Sequence, residues 1–209
     1  MSESRKKCRA GQVHLLRSWL SGTVLLVACA QDAFASDWPC IQRKVPEISL
    51  VAVWTGDSID AVKGLAQTDR AVSDLVERLA ARRTPLPEAE KLVADFAVTA
   101  KKEQLLAAAS GLFERLNEER STVLAGIERY GRKQKAMAEA LRQLGDDVAK
   151  SKTDDIDKHE ELSDKLIWDL RIFDERQQSL TYVCEVPTII ERRLFDIEHK
   201  IQDAVVRKN

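Results

Sequence analysis

Between residues 58 and 206 the apolar side chains recur at intervals of three and four, the spacing of one face of an α-helix. Ile59, Val62, Ala66, Val72, Val76 and Leu79 form the first such run. Asp57 and Ser58 are placed to cap it, which predicts a helix over about 58–83. The stretch RTPLPE stops that helix and starts the next, with Thr84 as the cap and Glu88 and Glu90 at the positive end. The second helix is expected over about 88–150. From Leu105 onward its stripe approaches the seven-residue repeat of a coiled coil. Gly126, Gly131 and Gly145 lie beside the stripe and each weakens a helix by about 1 kcal/mol relative to alanine. A bend near Gly131 would fold the whole chain into one compact bundle. The unbroken helix is the first expectation.

A third helix is expected over about 153–185, with Thr153 at its start and a stripe running from Ile156 to Cys184. Pro187 lacks the donor that a helix interior needs and predicts an end or a sharp kink. A fourth helix follows over about 188–206. The fold class expected is all-α: long antiparallel hairpins, comprising a coiled-coil-like arm and a small helical bundle.

Residues 36–57 show no such period. Trp38, Pro39, Ile41, Val45, Pro46, Ile48 and Trp54 instead suggest an extended, irregular segment held down by tryptophan. Before it, basic residues from Arg5 to Arg17 precede an apolar run at 19–30 and then Ala33-Phe34-Ala35. This order marks an export signal over 1–35, cleaved between Ala35 and Ser36. The run is far short of the roughly 20 residues needed to cross a bilayer, and no later segment approaches that length. Leu26-Val27-Ala28-Cys29 offers a second processing site, in which Cys29 is lipidated and the protein is tethered to a membrane. Periplasmic release is the leading localisation and the tethered lipoprotein its alternative.

The whole chain carries 33 basic and 34 acidic residues. Removing residues 1–35 leaves 28 against 32, a mild and finely mixed balance that gives no electrostatic case for nucleic acid. Cleavage also leaves Cys40 and Cys184 as the last two cysteines, in an oxidising compartment. Folding the chain at its predicted turns sets Cys184 beside about residue 120 and Ser58 beside about residue 113. Cys184 and the start of the first helix thus meet within about seven residues on one helix, a gap that the segment from Cys40 to Gly56 can span. A Cys40–Cys184 disulfide is expected, the alternatives being an intermolecular bridge or two free thiols. The same arithmetic predicts a three-helix body and a two-helix arm from about 115 to 183.

Candidate chemistry is sparse. Asp154, Asp155, Asp157, His159, Glu160 and Glu161 are the densest group of oxygen and nitrogen ligands. They lack the glycine and the final glutamate of a calcium loop, and helical spacing points them around the whole cylinder. A solvated helix start is therefore expected there, with no metal site. Residues 36–209 contain two histidines, His159 and His199, and no phosphate loop or nucleophile motif. Neither catalytic nor cofactor-binding residues are expected.

The stretch DWPCIQRKVPEIS, followed by VWTG, resembles the mature start of a family of uncharacterised secreted helical proteins of Gram-negative bacteria. That resemblance covers about a tenth of the chain and implies export to a bacterial envelope, with no activity to carry over. The function expected is non-enzymatic: a periplasmic scaffold or partner protein whose arm binds another envelope protein or a second copy. The alternative is a ligand-binding or chaperone-like protein using a cleft near the N-terminal segment.

Overall fold

The computed structural model describes residues 37–151 and 155–208. Cys29, Ala33, Ala35, Ser36, Thr153 and Asp154 lie outside the described residues, and with them both expected processing sites. Every regular element among those described is helical. Five α-helices follow in order: α1 (Leu65–Thr68), α2 (Arg70–Ala80), α3 (Leu86–Thr99), α4 (Lys102–Ser151) and α5 (Ile156–Val206). Short 3-10 turns occupy Leu50–Ala52 and Asp60–Val62.

The first expected helix, 58–83, is broken into three pieces. Gly64 adopts a left-handed φ of 83°, a conformation that ends one turn and redirects the chain. Asp69 then caps α2 by accepting from the amides of Ala71 and Val72 at 2.9 and 3.2 Å. These local signals override an apolar spacing that ran straight through them.

The second expected helix, 88–150, is two helices, and the cap of the first is Pro85 rather than Thr84. Ala100 is extended at the break. The amide of Lys101 donates to Gln104 Oε1 at 3.0 Å, the back-reaching half of a capping box. Gln104 Nε2 donates in turn to Asp69 at 2.8 Å, so one glutamine fixes the start of α4 and ties it to the start of α2. That hydrogen bond, with those from the Val72 and Ala71 amides, holds the Asp69 carboxyl below its ordinary range. Past Gly131, where a bend was considered, α4 is one continuous helix.

The third and fourth expected helices, 153–185 and 188–206, are a single helix, α5, that continues through Pro187. Asp155 caps it by accepting from the Lys158 amide at 3.2 Å. Proline removes one backbone hydrogen bond, yet the flanking turns are held from outside the helix. Cys184 is covalently anchored, and Pro187 and Ile190 are buried. Tertiary packing keeps the two halves in one helix.

Paired contacts give the directions. Asp69 meets Gln104, Glu77 meets Arg115 and Arg82 meets Glu119, so α2 runs parallel to α4. An antiparallel first pair was expected, and the extra reversal at Ala100 explains the difference. Arg193 donates to the carbonyls of Leu79 and Thr84, and Lys200 lies 3.7 Å from Glu90, so α3 descends alongside α5. The body is therefore a four-helix, up-down-up-down bundle instead of the three-helix one expected. Its core includes Leu75, Leu79, Leu105, Leu112, Leu116, Leu194, Ile197 and Ile201. Beyond it α4 and α5 continue as an antiparallel hairpin, with Tyr130 against Arg176, Gln134 against Phe173 and Val148 against His159.

Candidate interaction surfaces along the helical hairpin

Residues 37–57 cross the helices as a strap. Asp37 pairs with Lys135 at 2.8 Å, and Asp57 pairs with Lys102 at 2.6 Å. The strap thus runs antiparallel to α4 over 33 of its residues, about 50 Å of helix. It has almost no backbone hydrogen bonding of its own before Ser49, and side chains from both helices hold it instead. Near its start, Gly131 supplies the notch: a Cβ there would lie 2.5 Å from the carbonyl oxygen of Asp37 and 3.1 Å from the Pro39 ring. Gly131 is thus explained by the strap's close approach and not by a bend. The Lys135 hydrogen bond also holds the Asp37 carboxyl below its ordinary range, against the opposing effect of desolvation.

Cys40 is bonded to Cys184 across a sequence separation of 144 residues, with Cα atoms 5.6 Å apart. This is the pairing expected from the turns, and the hairpin explains why. Opposed residues of α4 and α5 sum to about 307, which sets Cys184 opposite about residue 123. Lys44 pairs with Glu128 one step further along.

The next anchor was not legible in the sequence. Arg120 is 2 % exposed, donates to the carbonyls of Val45 and Pro46 at 2.7 and 3.3 Å, and meets Glu191 at 2.6 Å. One guanidinium therefore joins strap, α4 and α5, with its charge offset and its fork-shaped donors spent on carbonyls that an extended strap leaves open. Nothing in the local pattern sets Arg120 apart from the exposed arginines of the same helix. The strap ends in the body, where Trp54 is buried and donates to the carbonyl of Asp57 at 2.7 Å. Trp38 is only half-buried, with its indole turned back on the Gln42 carbonyl, and Ile41 is fully exposed.

Beyond the strap the hairpin is bare. No described side chain from 135 to 179 is buried, although Met137, Leu141, Leu144, Leu162, Leu166 and Phe173 keep the helical stripe and form a half-buried seam. Ile167 and Trp168 on α5 are 66 % and 60 % exposed. His159 Nδ1 lies 3.2 Å from the Val148 carbonyl and 3.1 Å from Ser151 Oγ, so the imidazole joins the first turns of α5 to the last turn of α4. Asp155 caps α5, while Asp157, Glu160 and Glu161 are exposed. Among the described residues no group of three or more such side chains could hold a metal.

Two further features lie in the body. Glu198 is 1 % exposed, and neither carboxylate oxygen has a hydrogen-bond partner among the described residues. Burial pushes its carboxyl well above the ordinary glutamate value, so it favours the neutral acid. Beside the strap, a trough of about 550 Å³ is lined by Val45, Ile48, Ala52, Val53 and Phe195, with Glu47, Glu191 and Arg192 on its walls.

No helix among the described residues is long and apolar enough to cross a membrane. No protein-family model, no curated protein and no solved structure matches this chain.

Proposed function

We propose that this is a non-enzymatic exported protein of the periplasm that works by binding another protein through the outer half of its helical hairpin. One observation supports the reading above others: beyond the last strap contact, the described residues of 136–170 form paired helix that carries apolar surface without burying a single side chain. A helix pair gains most of its stability by burying an apolar face, and exposed apolar surface of this kind marks interaction sites. Either another envelope protein or a second copy would complete the burial.

The test is amide hydrogen exchange across residues 136–170 in protein recovered from exporting cells. The measurement is made dilute, at high protein concentration, and with an envelope extract added. Slowed exchange in the concentrated sample supports self-association, and slowing only with the extract supports a different partner. Equal, rapid exchange in all three would sink the proposal.

A further inference from the structure

Independently of the arm, we infer that the trough between the strap and α5 binds a free long-chain carboxylate, with its acyl chain along the trough and its head at Arg192. The floor and walls come from Val45, Ile48, Ala52, Val53 and Phe195, a set of methyl and ring surfaces, with Phe195 left 46 % exposed. Ser49 and Thr188 are the only uncharged polar side chains beside it. A ligand body that needed several hydrogen bonds would lose them here, whereas an aliphatic chain would lose none. The volume of about 550 Å³ falls within the range of small-molecule sites.

Charge determines the head. Three ionised side chains line the trough: Glu47, Glu191 and Arg192. Glu191 is committed to Arg120 at 2.6 Å. Arg192 makes no ion pair or hydrogen bond with any other described residue, although its neighbour Arg193 is fully engaged with the Leu79 and Thr84 carbonyls. A carboxylate is the group whose geometry a guanidinium fork matches. Glu47, on the strap wall, repels an anionic head from that side and directs it toward α5. A membrane surface is a poorer fit. Docking on anionic lipid calls for a cluster of cations, and this trough presents one unengaged arginine opposite one glutamate.

The site also explains a use for the Arg120 clamp. By gripping the carbonyls of Val45 and Pro46, Arg120 holds the strap wall at a fixed distance from α5 before any ligand arrives.

The experiment titrates the delipidated protein, in its disulfide-bonded form, with monomeric dodecanoate, dodecanol and dodecylamine, and separately with anionic phospholipid vesicles. Dodecanoate is expected to bind about tenfold more tightly than dodecanol, the worth of one charge-assisted contact. Arg192→Gln should abolish that preference while leaving dodecanol affinity unchanged. Phe195→Ser, at a half-exposed position, should weaken both. The inference is overturned by any of four results: no binding of dodecanoate, equal affinity for the acid and the alcohol, a preference for the amine, or binding to vesicles in place of monomers. Since residues 136–170 are not touched, failure here leaves the arm reading standing, and failure of the arm leaves this one.

Discussion

Two stretches of the same helix pair behave differently. In the inner stretch of α4, residues 120–134, five side chains or backbones are buried: Arg120, Leu124, Ile127, Gly131 and Gln134. In the outer stretch, 135–151, none is, although Met137, Leu141, Leu144 and Val148 keep the same spacing. The inner stretch has a third layer, the strap, and the outer has none. Apolar period alone thus aligns two helices without sealing the seam between them. A third element, even one with no regular structure, converts contact into burial.

Removing the third layer is the strongest way to break this contrast. The double variant Cys40→Ser/Cys184→Ser should lose about 5 kcal/mol of unfolding free energy, as expected for opening a loop of this length. Denaturant melts would read the loss, and hydrogen exchange in residues 120–134 should rise toward that of the outer stretch. If the inner stretch stays protected, the strap is not what seals it. Arg120→Ala should cost about 3 kcal/mol, because it strands the Val45 and Pro46 carbonyls and takes away the charge opposite Glu191. The same melts measure it, and Arg120→Met, which keeps the bulk, separates lost packing from lost hydrogen bonds.

A pair of glycines sharpens the comparison at smaller scale. Gly131→Ala forces a methyl group to within 2.5 Å of the Asp37 carbonyl oxygen and should destabilise by about 2 kcal/mol despite alanine's better helix propensity. Gly145→Ala meets nothing within 4 Å in the outer stretch and should stabilise by about 1 kcal/mol. Opposite signs from one chemical change on one helix are the expected outcome. Two effects of like sign would mean that the strap does not constrain Gly131.

Acid and base should act on different parts of the molecule. Glu198 has a folded value well above the ordinary 4.5, so its contribution is complete below that pH, where both states hold the proton. Stability then falls as pH rises, by at most about 1.4 kcal/mol per unit, until the folded group ionises. Asp37 has the opposite sign: its folded value is depressed, so its contribution is present above the unfolded value and lost as pH falls through the folded one. Melts of Glu198→Leu between pH 5 and 8 should lie above those of the parent, increasingly so toward pH 8. The protection factor at Trp38, which removes the intrinsic pH dependence of exchange, should fall in acid, and an unchanged slope for Glu198→Leu would contradict the first claim.

Much of this architecture was legible because its signals are long. Apolar stripes sustained over several turns pointed to the all-α class and the hairpin, and the two cysteines left after residue 35, brought near one helix by the predicted turns, pointed to the disulfide. The errors came from single residues: Gly64 and Asp69 act locally to break the first helix, and others act at a distance. Gln104 breaks an apparent helix because it reaches both Lys101 and Asp69, 35 residues away. Pro187 does not break one, because anchors on either side outweigh one missing hydrogen bond. Arg120, Gly131 and Arg192 look ordinary until the strap lies beside them, and a local pattern carries no trace of a neighbour 75 or more positions away.

The strap also sets an order of events. Synthesis at about 5 to 20 residues per second separates Cys40 from Cys184 by roughly 7 to 29 s. Throughout that interval the groove that receives residues 37–57 does not exist, since α5 is half of it. The usual sequence in which early segments fold first is inverted: the described residues that are made earliest are placed last. Their contacts, from Arg120 with Val45 to Gln202 with Thr55, close loops of 75 to 147 residues. Such closures slow folding, and during that wait Cys40 remains a thiol without its partner, in a segment that has nothing yet to dock on.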